Sequence, residues 1–144
     1  MGGKVMAVCI SPVRGVSKQE VPGRIRIAEG YGIEGDAHGG NWHRQISLLS
    51  YEKIAEFNRL GGGVENGDFG ENIVVTGIDL RNLPVGTRLR LADALLEVTQ
   101  IGKACHAHCQ IYQRVGDCIM PREGIFAKVI VGGTVEKGDS IDVI

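Results

Sequence analysis

The 22 glycines of this 144-residue chain fall between short apolar runs and not in a polar tract. Glycine reaches positive φ at no steric cost, so this punctuation favours short strands joined by tight turns and argues against disorder. Val5 to Ile10 reads as an opening strand, and Arg24 to Ala28 as a second, with alternating charged and apolar side chains. Between them Ser11 to Gly23 carries two prolines and two glycines and reads as a loop. Ile46 to Leu49 is a short apolar strand.

The clearest helix follows. Ser50 can cap it, Glu52 suits the positive end of its dipole, and Gly61 can end it. Tyr51, Ile54, Ala55 and Leu60 are expected to supply its apolar face. The second half is β-rich: Asn72 to Thr76, then Arg88 to Leu91, a turn at Ala92-Asp93, and Ala94 to Gln100. Phe126 to Val131 and Ser140 to Ile144 are further strands, the last entered through a Lys137-Gly138-Asp139 turn. Many short strands with closely spaced turn signals predict a mainly β chain, a compact β-barrel or sandwich with one or two short helices. No repeat or linker interrupts it, so residues 1–144 are expected to form a single domain.

The formal net charge is −1, with basic and acidic residues interspersed. No basic stripe is present to displace counterions, which argues against a nucleic acid or an anionic membrane as partner. No apolar run is long enough to span a bilayer, and the start is too short for a signal-peptide core. Met6 stands where a myristoylation signal needs Ser or Thr. The 4 cysteines do not form a secreted disulfide framework, so a cytoplasmic location is expected.

Three segments can carry chemistry. Gly35-Asp36-Ala37-His38-Gly39-Gly40, followed by Trp42, His43 and Arg44, can present backbone N–H groups and a planar guanidinium to an anion. It matches neither the P-loop nor the dinucleotide fingerprint, and a plain turn in which Asp36 bonds its own backbone is the alternative. Gly67-Asp68-Phe69-Gly70-Glu71-Asn72 offers an acid–amide pair suited to the edge of a heterocycle, or to buried backbone in a structural turn.

The third segment is the densest: Lys103-Ala104-Cys105-His106-Ala107-His108-Cys109, with Cys118 and Arg122 beyond. Thiolates are nucleophiles and soft-metal ligands, and Lys103, His106, His108 and Arg122 favour the thiolate if they lie nearby. The Cys-x3-Cys spacing is not that of a usual structural zinc site, which would need His38 and His43 to complete it. Cys9, alone in its strand, reads as core.

Gly35-Asp36-x-His38, Phe69-Gly70-Glu71-Asn72-Ile73, Leu83-x-Val85-Gly86 and the run Val98-Thr99-Gln100 into Cys105 together resemble the MOSC family, named after the C-terminal part of molybdenum-cofactor sulfurase. The resemblance implies a β-barrel that handles the molybdenum cofactor (molybdopterin), with a cysteine that carries sulfur or ligates molybdenum. Position along the chain puts Cys105 first; relatives whose cysteine ends a Cys-x2-Cys pair point to Cys109. The resemblance further implies a cofactor site built from Gly35, Asp36, His38, Arg44, Gly70, Glu71, Asn72 and Arg122. Arg44 and the glycine turn would suit the phosphate, and Glu71 with Asn72 the pterin edge. It also implies partners among molybdoenzymes or a cysteine desulfurase, since no pyridoxal-phosphate domain is present here. Two rival readings are a molybdenum-dependent reductase component acting on N-hydroxylated compounds and a zinc-bound or purely structural module.

Overall fold

Arg88-Leu89-Arg90-Leu91 folds as its alternation predicts, with both leucines buried and both arginines exposed. In the computed structural model, which describes residues 2–14, 16–102 and 123–144, such strands close into a barrel. They are β1 (Gly2–Ile10), β2 (Gln19–Glu20), β3 (Ile25–Ala28), β4 (Gly32–Ile33), β5 (Ile46–Ser50), β6 (Ile73–Thr76), β7 (Arg88–Leu91), β8 (Ala94–Ile101), β9 (Ile125–Val131), β10 (Gly133–Val135) and β11 (Ser140–Val143). Helix α1 (Tyr51–Arg59) and a 3-10 turn at Leu80–Asn82 complete the described elements.

The barrel runs β11-β7-β8-β9-β5-β6-β1, and β1 pairs back to β11. Closure leaves these seven strands without a free edge, which removes the usual template for strand-to-strand aggregation. Every pairing in the barrel is antiparallel except β5 with β6. Parallel neighbours need a long crossover, and α1 supplies it. Strand β2 pairs with the end of β1, and β10-β3-β4 form a small separate sheet. The mainly β barrel with one or two short helices expected from the sequence is thus observed among the described residues.

Two apolar clusters result. Ile46, Leu48, Ile73, Leu89, Leu96 and Ile141 belong to the barrel interior. On the outside, Ala7, Cys9, Leu49, Phe69, Val74 and Phe126 pack beneath α1. All five residues of β5 are buried because it has apolar neighbours on both faces.

Helix α1 starts and stops where expected: Ser50 Oγ accepts from Lys53 N, and Gly61 follows the last turn with φ +98°. Its buried face is narrower than the periodicity suggests. Ile54 alone is buried and Phe57 is partly so, whereas Tyr51, Ala55 and Leu60 are exposed. Glu52 instead ties the helix to the barrel, accepting from Thr76 Oγ1 at 2.6 Å and Gly77 N at 3.0 Å. Among the described residues no helix is long and apolar enough to cross a membrane.

The β7–β8 hairpin carries a local misfit. Ala92 has φ +53° and is the one non-glycine with positive φ among the described residues. It occupies the first central position of a two-residue turn, where glycine is favoured. Since an L-residue with a Cβ pays about 1–2 kcal/mol there, Ala92→Gly is expected to raise stability by about 1 kcal/mol. Urea unfolding checks this through a higher midpoint at unchanged slope.

Candidate functional site

The turn after β4 is organised around one buried carboxylate. Asp36 Oδ1 accepts from Ser11 N at 3.1 Å and from Lys18 Nζ at 2.6 Å, while Oδ2 accepts from His38 N at 3.1 Å. The bond to its own chain two residues on is the Asx turn that Asp favours. The Lys18 and Asp36 side chains are 1% and 0% exposed, so the ion pair is interior. A lysine this buried is rare without such a partner.

The backbone donors of this turn are spent internally. Asp36, Ala37, Gly39 and Gly40 N–H groups bond to the carbonyls of Ile33, Ser11, Asp36 and Tyr31, and His38 N bonds to Asp36. The expectation that glycine-rich backbone from Gly35 onward offers N–H groups to an anion is therefore corrected for these positions: the turn is shaped by its own hydrogen bonds. What it offers outward is side chains.

Those side chains form a connected cationic and aromatic group. Trp42 Nε1 donates to His38 O at 2.7 Å, and the two rings lie nearly parallel with centroids 6.2 Å apart. The Arg14 guanidinium lies 4.6 Å from the Trp42 ring centre and its Nε donates to Ala37 O at 3.1 Å. His43 meets Trp42 edge-on at 5.8 Å.

Gln100 Oε1 then receives His43 Nε2 at 2.9 Å and Arg44 Nε at 3.1 Å, while Gln100 Nε2 donates to Gly102 O at 2.8 Å. Acceptor and donor ends of the amide are both used in the only sense that an Arg donor and a carbonyl acceptor permit. The Arg44 guanidinium also lies 5.1 Å from the Phe126 ring centre. Both contacts restrain its plane. Gly102 N bonds to Gly124 O at 2.6 Å. The chain therefore leaves for residues 103–122 and returns from them at one point, beside the amide that holds Arg44.

Glu71 and Asn72 face inward. Each is 0% exposed. Glu71 Oε2 accepts from Gly67 N at 2.9 Å and Oε1 from Phe69 N at 3.0 Å. Burial pushes the Glu71 carboxyl up to about 7, against the pull of these backbone N–H groups. Asn72 Oδ1 accepts from Ser47 N and Ser47 Oγ, and its Nδ2 donates to Cys9 O at 3.0 Å, joining β5 to the end of β1. Both side chains thus satisfy buried backbone in a structural turn, the second of the two readings of this motif, and neither presents a free edge to a heterocycle. Gly70 has φ +81° within the same turn.

Lys18 connects the two turns. Its backbone N bonds to Gly67 O at 2.8 Å while its ammonium reaches Asp36 and, at 3.1 Å, His38 Nδ1. Gly67 has φ +89°, and a Cβ there would stand 2.2 Å from Lys18 O, so only glycine admits this strap. Lys18 escaped the sequence reading because it sits alone in a polar loop. No local pattern marks it, since it precedes both motifs in the chain and meets them only in the fold.

The structure thus brings Asp36, His38 and Arg44 into one contact chain running Lys18–His38–Trp42–His43–Gln100–Arg44, and places Gly70, Glu71 and Asn72 in the turn behind it. Cys105, Cys109, His106, His108, Cys118 and Arg122 lie outside the described residues. Cys9 is buried, its thiol pushed up by desolvation, and fits its expected place in the core. Among the described residues no three His, Cys, Asp or Glu side chains are arranged to hold a metal ion.

Against this geometry, the MOSC domain family model matches residues 34–142. Solved structures of similar fold include the YuaD protein from Bacillus subtilis, at TM-score 0.81 and 24% identity, covering 99% of this chain and 96% of that one. YiiM from Escherichia coli aligns at TM-score 0.73 and 20% identity over 100% of this chain and 70% of that one. YiiM from Geobacillus stearothermophilus aligns at 0.68 and 17% over 99% and 73%. At these identities the likeness is one of fold. No curated protein sequence matches the chain at significance.

Proposed function

Since the chain belongs to the MOSC domain family, which is associated with molybdenum-cofactor binding or sulfur transfer, we propose that it binds the molybdenum cofactor and presents to it a reactive cysteine of the 103–122 segment. Cys105 is the first choice and Cys109 the second. The observation that carries this reading is the anchoring of Arg44: the guanidinium is held through Gln100 to Gly102, the residue three positions before Cys105. An anion-binding group and the entry to the thiol-bearing segment therefore share one hydrogen-bonded amide.

The described residues fit the anionic end of such a cofactor. Arg44, His43, His38 and Arg14 are partly or fully exposed donors grouped together in a chain whose net charge is only −1. A guanidinium braced at Nε and against a ring keeps its terminal N–H groups in a fixed fork, the geometry that phosphate prefers. In this reading the soft ligand comes from residues 103–122, and the buried Cys9 stays in the core. When bound, the cofactor supplies a thiophilic metal centre; a thiolate or persulfide on the protein is the matching soft donor. Gly35, Asp36, Gly70, Glu71 and Asn72 act here by shaping the two turns. In this reading a separate desulfurase or molybdoenzyme supplies or receives the sulfur.

The test is anaerobic purification from molybdate-fed cells, with mass spectrometry for bound pterin and for an added sulfur (about 32 Da) on a thiol. Loss of one charge-assisted contact corresponds to roughly 10- to 100-fold weaker binding, so Arg44→Ala is expected to copurify with little pterin while keeping the wild-type circular dichroism spectrum. Unchanged pterin content in Arg44→Ala removes Arg44 from the site. Stoichiometric zinc without pterin in the wild type supports the structural module instead.

A further inference from the structure

We infer that Lys18 is a positioning residue that sets the ring tautomer of His38, holding its proton on Nε2 and closing Nδ1 to any other partner. Lys18 Nζ lies 2.6 Å from Asp36 Oδ1 and 3.1 Å from His38 Nδ1, in a side chain that is 1% exposed. A lysine ammonium has donors and no acceptor. Nδ1 must therefore accept, and a neutral imidazole that accepts at Nδ1 carries its hydrogen at Nε2.

Asp36, Trp42, Arg14 and His43, the other described groups known to stand near His38, do not reverse this. Asp36 Oδ2 lies 3.8 Å from Nδ1, beyond hydrogen-bond reach, whereas Lys18 Nζ at 3.1 Å lies within it. Trp42 stacks on the ring and donates to the His38 carbonyl, and beyond Trp42 stand Arg14 and His43. None of these offers Nδ1 an acceptor in place of Lys18.

A consequence for metal chemistry follows. A histidine that ligates a metal through one nitrogen donates the other N–H to a carboxylate, a carbonyl or water. His38 has that arrangement inverted, because its second nitrogen is receiving a proton donor. His38 is thereby disqualified as a zinc ligand at Nε2 and fitted to donate from Nε2 to an anionic oxygen. That last role rests on the proposed function; the tautomer is a property of the ligand-free chain and stands or falls apart from it.

Long-range proton–nitrogen correlation on the ligand-free, nitrogen-15-labelled full chain at about pH 8, above the ordinary histidine value near 6.5, tests the assignment. Loss of one ring pattern in His38→Gln identifies His38 among the 4 histidines. The expected wild-type pattern is Nε2–H with Nδ1 at the upfield-shifted position of a hydrogen-bond acceptor. In Lys18→Met that Nδ1 signal moves downfield to the position of an unbonded ring nitrogen, and in Lys18→Arg, which keeps a donor, it stays. An Nδ1–H pattern in the wild type, or a folded Lys18→Met with Nδ1 unmoved, overturns the inference. Should Lys18→Met not fold, the wild-type pattern and zinc addition decide. Zinc at a few equivalents is expected to leave the His38 signals in place, and their displacement refutes the tautomer lock.

Discussion

Replacing Asp36 by Ala is expected to destabilise the protein by about 3–5 kcal/mol, because it strands the Lys18 ammonium in the interior without its counter-charge. Two further donors, Ser11 N and His38 N, lose their acceptor at the same time. At roughly 2–4 °C per kcal/mol for a chain of this size, the melting temperature should fall by roughly 10 °C. The neutral double variant Asp36→Ala with Lys18→Met is expected to lose less than the sum of the two single changes, since it leaves no unpaired buried charge. Urea unfolding of all four proteins closes the cycle. Strict additivity would mean that the two groups do not interact in solution. The same result bears on function, because the pair fixes the turn that carries His38, Trp42 and Arg44 into one contact chain.

Much of the barrel was legible because its signals are local. Arg88 to Leu91 announces its two faces by alternation, Ser50 and Gly61 bracket α1, and the strands read from sequence begin and end within a residue of those observed, except that β1 starts at Gly2, three residues before the Val5 read from the sequence. Parallel pairing of β5 with β6 was not legible, since no local pattern states which strands become neighbours. Short strands β2, β4 and β10 also escaped; two or three residues carry no period. The face of α1 was misjudged because Phe57, set off the Tyr51–Ile54–Ala55 stripe, turns inward with Ile54.

At the site, the sequence singled out Asp36, His38, Trp42, His43 and Arg44, but gave no sign that Lys18 and Gln100 join them. Lys18 and Gln100 are ordinary polar residues whose importance comes from contacts across 18 and 56 positions of sequence. For Glu71 and Asn72 the residue types signal exposure. Glu71 is buried as the acceptor for Gly67 N and Phe69 N, in a turn where Gly67 and Gly70 take positive φ, and Asn72 as the link between Ser47 and Cys9 O. The Cys105–Cys109 segment, the densest chemical signal in the sequence, lies outside the described residues, so the choice between its thiols belongs to the mass-spectrometric experiment.

Stability is expected to fall as pH rises from about 4.5 to about 7 through Glu71, by an amount on the order of 3 kcal/mol. Burial raises this carboxyl from the ordinary 4.5 to about 7 in the folded chain. Across that window the folded state holds a proton that the unfolded state has released, so raising the pH favours unfolding. The contribution is complete below the unfolded value and is lost once the pH passes the folded one.

Glu71→Gln isolates the effect, because an amide cannot ionise. At about pH 4.5 the variant is expected to be less stable than wild type by about 1–3 kcal/mol. The cause is steric and polar: one acceptor oxygen becomes an NH2 group facing the N–H of Gly67 or Phe69. At about pH 8 the wild type bears a desolvated charge that the variant lacks, and the gap should close. Taking the difference between the two proteins cancels every other titrating group. A difference that stays constant across the window would mean that Glu71 ionises at its ordinary value and that water reaches the turn, which would return its carboxylate to the set of groups able to meet a ligand.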